Sequence, residues 1–182
     1  MVHNSTIFDS ITVCEVCSDV EVRNRIKIYT DGSVYNGPLG YGACDAVLIP
    51  ACDTDEIHTE TNSFESEVSG VVLGIKICFD YCEKYSSVEE LDTVYIFCDS
   101  HVAIDAVDRC SSNIRPDNLI SLMNLRKLLH QINVSIKLVK VKGHSDMKGN
   151  LMADQWAKNT AFSMFKGNIP TPGMSYYCQR GL

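Results

Sequence analysis

Hydrophobic and polar positions change their period several times along this chain, and each change marks an element. From Arg25 to Thr30 (RIKIYT) β-branched and apolar residues alternate with polar ones, which predicts a strand ending at Asp31-Gly32. Asn36–Gly42 (NGPLGYG) reads as a turn, Ala43–Ile49 as a second strand and the neighbourhood of Glu56–Thr61 as a third, together an antiparallel meander. From Phe64 the spacing of Phe64, Val68, Val71, Val72, Ile75 and Phe79 is helical. Thr93–Cys98 (TVYIFC) is again a strand, followed by a short helix from Ser100 to about Val107. Leu119, Leu122, Leu125, Leu128 and Leu129 place a helix within Asp117–Gln131, Ser135–Val141 (SIKLVKV) is a strand, and a last helix covers about Lys148 to Ala161. Three strands, helix, strand, helices, strand, helix predicts an α/β fold: a five-stranded mixed sheet with helices on both faces. Residues 1–24 read as a weakly structured leader, 25–162 as the domain and 163–182 as an irregular tail bearing proline and glycine.

Composition narrows the class. A chain of 182 residues with 45% hydrophobic content suits one globular domain. No apolar run approaches the ~20 residues of a membrane span. The first twenty residues lack a basic start followed by an apolar stretch, so the chain reads as intracellular, nuclear or cytoplasmic. Nine cysteines then read as free thiols. Cys14 and Cys17 form one CxxC, half of what a zinc site needs, and Cys78 and Cys82 suit small apolar packing on a helix. The net charge of −7 argues against a general nucleic-acid binder. The local exception is Lys137–Lys148, where Lys137, Lys140, Lys142, His144 and Lys148 are accompanied by one acidic residue, Asp146.

Against this background four carboxylates stand out. Asp31 in IYTDGS and Asp99 in IFCDSH each follow an apolar strand and precede small residues. If the two strands are parallel neighbours, both side chains emerge at one carboxyl edge, where open sheets bind ligands; alone, either is a common turn former or helix cap. Glu67 falls within the apolar stripe of its helix, close to Gly70 and Gly74. Those glycines cost helix propensity, roughly 1 kcal/mol each, and their expected use is close approach of helix to sheet. A carboxylate buried there needs pairing or a cation. Its rival Glu65 shares a face with Ser69 and Lys76 and should look toward solvent. Asp154 in GNLMADQWAKNTA lies one turn after Asn150, on the face of Ala157 and Ala161. Converging carboxylates repel unless hard cations neutralise them, and oxygen donors suit Mg²⁺ or Mn²⁺.

The spacing resembles a known family. DGS at Asp31, E-x-x-G-V-V-L-G-I at Glu67, CDS at Asp99 and KGHSDMKGNLMAD ending at Asp154 resemble type 1 ribonuclease H over about Arg25 to Ala161. The resemblance implies a ribonuclease H-like fold and endonucleolytic hydrolysis of the RNA strand of an RNA–DNA hybrid, leaving 5′-phosphate and 3′-hydroxyl ends. It implies that Asp31, Glu67, Asp99 and Asp154 ligate two Mg²⁺ ions, with Mn²⁺ as a possible substitute. It also implies that His144, ten residues before Asp154, is the family's mobile catalytic histidine. Ser33, Asn36, Asn62, His101, Lys142 and Asn150 are the candidate contacts to the hybrid. CDSHVAIDAV and GHSDMKGNLMADQWAK are most similar to the domains of non-LTR retrotransposons and other reverse-transcribing elements, which would make the chain a domain of a polyprotein. Two positions depart from the pattern: Asn62 stands five residues before Glu67 where the family has four, and His101 replaces a common glutamine. Rival readings are another nuclease on the same scaffold (an integrase, junction resolvase or exonuclease), a catalytically silent nucleic-acid-binding or connection domain, and a zinc or redox protein built on the CxxC.

Overall fold

The computed structural model of the chain describes residues 11–14, 26–35, 41–49, 54–60, 63–85, 93–143 and 147–165. Its strands are β1 (Ile11–Cys14), β2 (Ile26–Tyr35), β3 (Tyr41–Ile49), β4 (Thr54–Glu60), β5 (Thr93–Cys98) and β6 (Ser135–Lys140). Its helices are α1 (Ser63–Tyr85), α2 (His101–Asp108), α3 (Pro116–Gln131) and α4 (Lys148–Phe165). The strands form one sheet in the order β1-β6-β5-β2-β3-β4. The pairs β1/β6, β6/β5 and β5/β2 are parallel, and β2/β3 and β3/β4 are antiparallel. The mixed sheet expected from the periodicity is therefore present, with six strands among the described residues rather than five. The extra one, β1, comes from the stretch expected to be weakly structured; it caps the free edge of β6, and Ile11 is buried there.

Alternation along β2, β5 and β6 feeds two different cores. Ile26, Ile28, Val94, Ile96, Cys98, Ile136 and Leu138 face α1, α2 and α3 in a large aliphatic core. The residues between them, Tyr29, Tyr95, Phe97, Val139 and Val141, face α4 with Ala153 in a smaller, partly aromatic core. Tyr29 stacks on Phe97 at 4.8 Å between ring centroids. Strands buried on both faces need apolar residues at both parities, as a parallel sheet core requires.

Local chemistry sets the helix ends. Ser100 caps α2 by accepting from the Ala103 N–H at 3.3 Å. Pro116 and Asp117 open α3, where a missing N–H costs nothing and a negative charge suits the helix dipole. The buried Arg126 of α3 donates to the carbonyls of Val107 and Asp108 at 2.9 and 3.0 Å, closing the C-terminus of α2. Helix α4 continues to Phe165, beyond the Ala161 that the periodicity reaches. Cys78, Cys82, Cys98 and Cys110 are free thiols, and Cys78 and Cys82 pack in the aliphatic core as their spacing suggests. The side chains of the CxxC lie outside the described residues. Among the described residues no helix is long and apolar enough to cross a membrane.

Candidate active site

Strand register builds the site. The parallel β2/β5 ladder ends with Thr30 opposite Cys98, so Asp31 and Asp99 are the next residues of two neighbouring strands. Asp31 does not end its strand, as the Asp-Gly pair suggested. β2 continues to Tyr35 because β3 goes on pairing with it through Asp31↔Asp45, Gly32↔Cys44 and Tyr35↔Tyr41. The place where one partner stops and the other carries on leaves Asp31 beside an open edge, although only 6% of it is exposed.

Close approach of α1 brings in Glu67. A Cβ on Gly32 would collide with the backbone of Ser66 and Glu67, one on Gly70 would lie 2.9 Å from the Asp31 carbonyl oxygen, and one on Gly74 would lie 2.7 Å from the Thr30 methyl. These glycines let α1 rest directly on β2, which carries Glu67 to the strand edge. Glu67 Oε2 is buried and has no hydrogen-bond partner among the described residues. Glu65 points elsewhere, with a carboxylate oxygen 3.9 Å from Arg115 Nη1. Its face is not wholly solvent-facing as expected: α3 covers Ser69, whose hydroxyl accepts from Asn118 Nδ2 at 2.8 Å.

From the opposite face α4 supplies Asp154. Gly149 in its first turn lies against the Tyr29 ring, where a Cβ would not fit, and Ala153, Ala157 and Ala161 are buried behind it. The Asp154 carboxylate is one of the charges acting on Asp31 and is bridged by Lys158, whose Nζ lies 2.7 Å from Oδ1 and 2.8 Å from Oδ2. Lys158 escaped the sequence reading, although an Asp and a Lys four apart on one helix are a standard pairing signal.

Electrostatics reflects this crowding. Asp31 is pushed up to about 7, first by burial and then by Asp99 and Asp154, although the Gly32 N–H donates to its Oδ1 at 2.7 Å. Glu67 is pushed up to about 9 by burial and then by Asp31 and Asp99. Oxygens of Glu67 and Asp99 and the sulfur of Cys98 lie within 4.8 Å of one another, close enough to share a metal ion. Cys98 is buried behind them, its thiol raised by that burial, and it accepts from the Ser100 N–H at 3.4 Å. An orphaned carboxylate oxygen among mutually repelling carboxylates fits a hard divalent cation held through oxygen.

The remaining candidates separate. Ser33 is half-buried in β2 just past Asp31; His101 and Lys142 are exposed; the Gly143 Cα carries a vector that would bring a Cβ to 3.3 Å from Asp99 Oδ2. Asn150 is only 2% exposed, with its Oδ1 unpartnered among the described residues. His144, Asn36 and Asn62 lie outside the described residues. Comparison with curated proteins gives no match. The family model for RNase H matches residues 23–162, a span that contains all four carboxylates, and the chain belongs to the ribonuclease H family.

Proposed function

We propose that this chain hydrolyses the RNA strand of RNA–DNA hybrids at the edge where β2 and β5 part, using Asp31, Glu67, Asp99 and Asp154 to hold two Mg²⁺ ions. The observation that carries the reading is the convergence of Glu67 from one face of the sheet with Asp31 and Asp154 from the other. Asp31 and Glu67 are both pushed well above the usual carboxylate range there. Such crowding costs the fold free energy while the groups are charged, and a cation relieves it.

When bound, the metal pair supplies an activated water and a counter-charge for the departing oxygen. The chain's own residues do the rest. Asp31 and Glu67, fixed by the contact between α1 and β2, hold the donor oxygens in place before substrate arrives. Water attacks phosphorus, the bond to the 3′ oxygen breaks, and the products carry a 5′-phosphate and a 3′-hydroxyl. His144 would pass protons, the role that the resemblance implies for it. Ser33 next to Asp31, with Asn36, Asn62, His101 and Lys142, would meet the hybrid; selection of RNA rests on the 2′-hydroxyl.

The test is incubation of the purified protein with labelled hybrid, duplex RNA and duplex DNA, each with Mg²⁺ and with chelator. Metal-dependent cutting confined to the RNA strand of the hybrid is expected. Asp99→Asn should melt no earlier than wild type yet cut no hybrid; wild-type cutting by that variant would remove Asp99 from the site.

A further inference from the structure

We propose that Lys158 is an internal counter-ion that occupies the Asp154 carboxylate when no metal is present and so sets how tightly the acidic edge takes a divalent cation. The proposal rests on the reading of that edge as a divalent-ion site.

Lys158 lies one helical turn after Asp154 on α4, and its ammonium straddles both carboxylate oxygens, at 2.7 and 2.8 Å. Gly149 seats α4 on Tyr29, two residues before Asp31, and Asp154 is among the charges that act on Asp31, so it belongs to the crowded acidic edge and not to open surface. An ammonium in this place has two effects. It relieves repulsion between Asp31, Asp99 and Asp154 while the edge holds no cation. It also competes for the oxygens a cation would use: an incoming ion must displace Nζ or bind beside its charge, and either lowers affinity. Lys158 is half exposed and Asp154 a quarter exposed, so the ammonium can swing into solvent as an ion enters.

Lys158→Gln removes the competitor and keeps a helix former of similar length. Its affinity for Mg²⁺ should rise roughly two- to fivefold, the range of a partly exposed ion pair. In chelator the same variant should melt earlier than wild type. Lys158→Arg keeps the charge and should behave as wild type in both respects. The experiment is calorimetric titration of Mg²⁺ alone into wild type, Lys158→Gln, Lys158→Arg and Asp31→Asn at fixed ionic strength, with melting curves in chelator. Tighter Mg²⁺ binding by Lys158→Gln but not by Lys158→Arg supports the proposal. Unchanged or weaker binding by Lys158→Gln overturns it. If that happens while Asp31→Asn loses the binding that wild type shows, the counter-ion inference alone fails. If wild type and Asp31→Asn take up Mg²⁺ equally or not at all, the acidic-edge reading fails and the inference with it.

Discussion

The two faces of the sheet are built from the same strands and differ in almost every other respect. On one, seven aliphatic and thiol side chains of β2, β5 and β6 meet three helices, and Ile28, Ile96, Ile136 and Leu138 are fully buried. On the other, a thinner layer of Tyr29, Tyr95, Phe97, Val139 and Val141 meets one helix that touches it largely through glycine and alanine. The thick face holds α1 against β2 backbone to backbone. The thin face seats α4 on the Tyr29 ring, a side-chain support in place of a backbone one. The acidic edge is the seam between them, with Glu67 carried by the backbone contact and Asp154 by the ring contact. A site assembled this way can keep one donor set fixed while the other adjusts to a cation.

Glycine substitutions should break that comparison most strongly. A Cβ at Gly32 meets the backbone of α1, which cannot move without lifting the whole helix. Gly32→Ala is expected to cost about 3 kcal/mol, the upper part of the usual range for overpacking, and to abolish Mg²⁺-induced stabilisation because Glu67 is carried away from Asp31. At Gly149 the obstacle is the ring of Tyr29, a single side chain in place of a helix backbone. Gly149→Ala should cost about 1 kcal/mol and retain a metal response. Urea unfolding of both variants, with and without Mg²⁺, measures the difference. Equal costs would mean that the two faces are equally rigid.

Much of this was legible from the sequence, for a physical reason. RIKIYT alternates apolar with polar residues and TVYIFC runs apolar at both parities, so both read as strands, and Gly70 and Gly74 advertise a close helix. What was not legible depends on partners far along the chain. ITVC is four residues long and becomes a strand only because β6 offers it an unpaired edge. Asp31-Gly32 carries a turn signal, but β3 overrides it by continuing its ladder past the end of β5. The burial of Asn150 was equally hidden, because it comes from the packing of α4 against the sheet.

pH offers a second, milder way to probe the seam. Asp31 and Glu67 have folded values near 7 and 9, above their ordinary 3.8 and 4.5. The folded chain therefore holds protons that the unfolded chain releases, and stability falls as pH rises through this window. In chelator the melting temperature should be highest near pH 4–5 and decline toward pH 9, with Glu67→Gln flattening the upper part of that decline. Added Mg²⁺ should restore most of the loss near pH 8 in wild type and less in Glu67→Gln. A melting temperature that holds level from pH 5 to 9 without metal would show that the carboxylates are not crowded in solution.

The smallest expected effect separates an ion pair at the seam from one far from it. Lys76 and Asp80 on α1 have the same four-residue spacing as Asp154 and Lys158, with Nζ 3.0 Å from Oδ2, but both side chains are more than half exposed. The order is also reversed, lysine first, which opposes the helix dipole and weakens the pair. Lys76→Gln should cost only about 0.3 kcal/mol, fading in high salt, and leave Mg²⁺ affinity unchanged. Melting curves at low and high salt read the first effect, and a Mg²⁺ titration reads the second. A change in Mg²⁺ affinity on removing Lys76 would mean that any lost positive charge tightens the cation, and that the place of Lys158 beside Asp154 has no special importance.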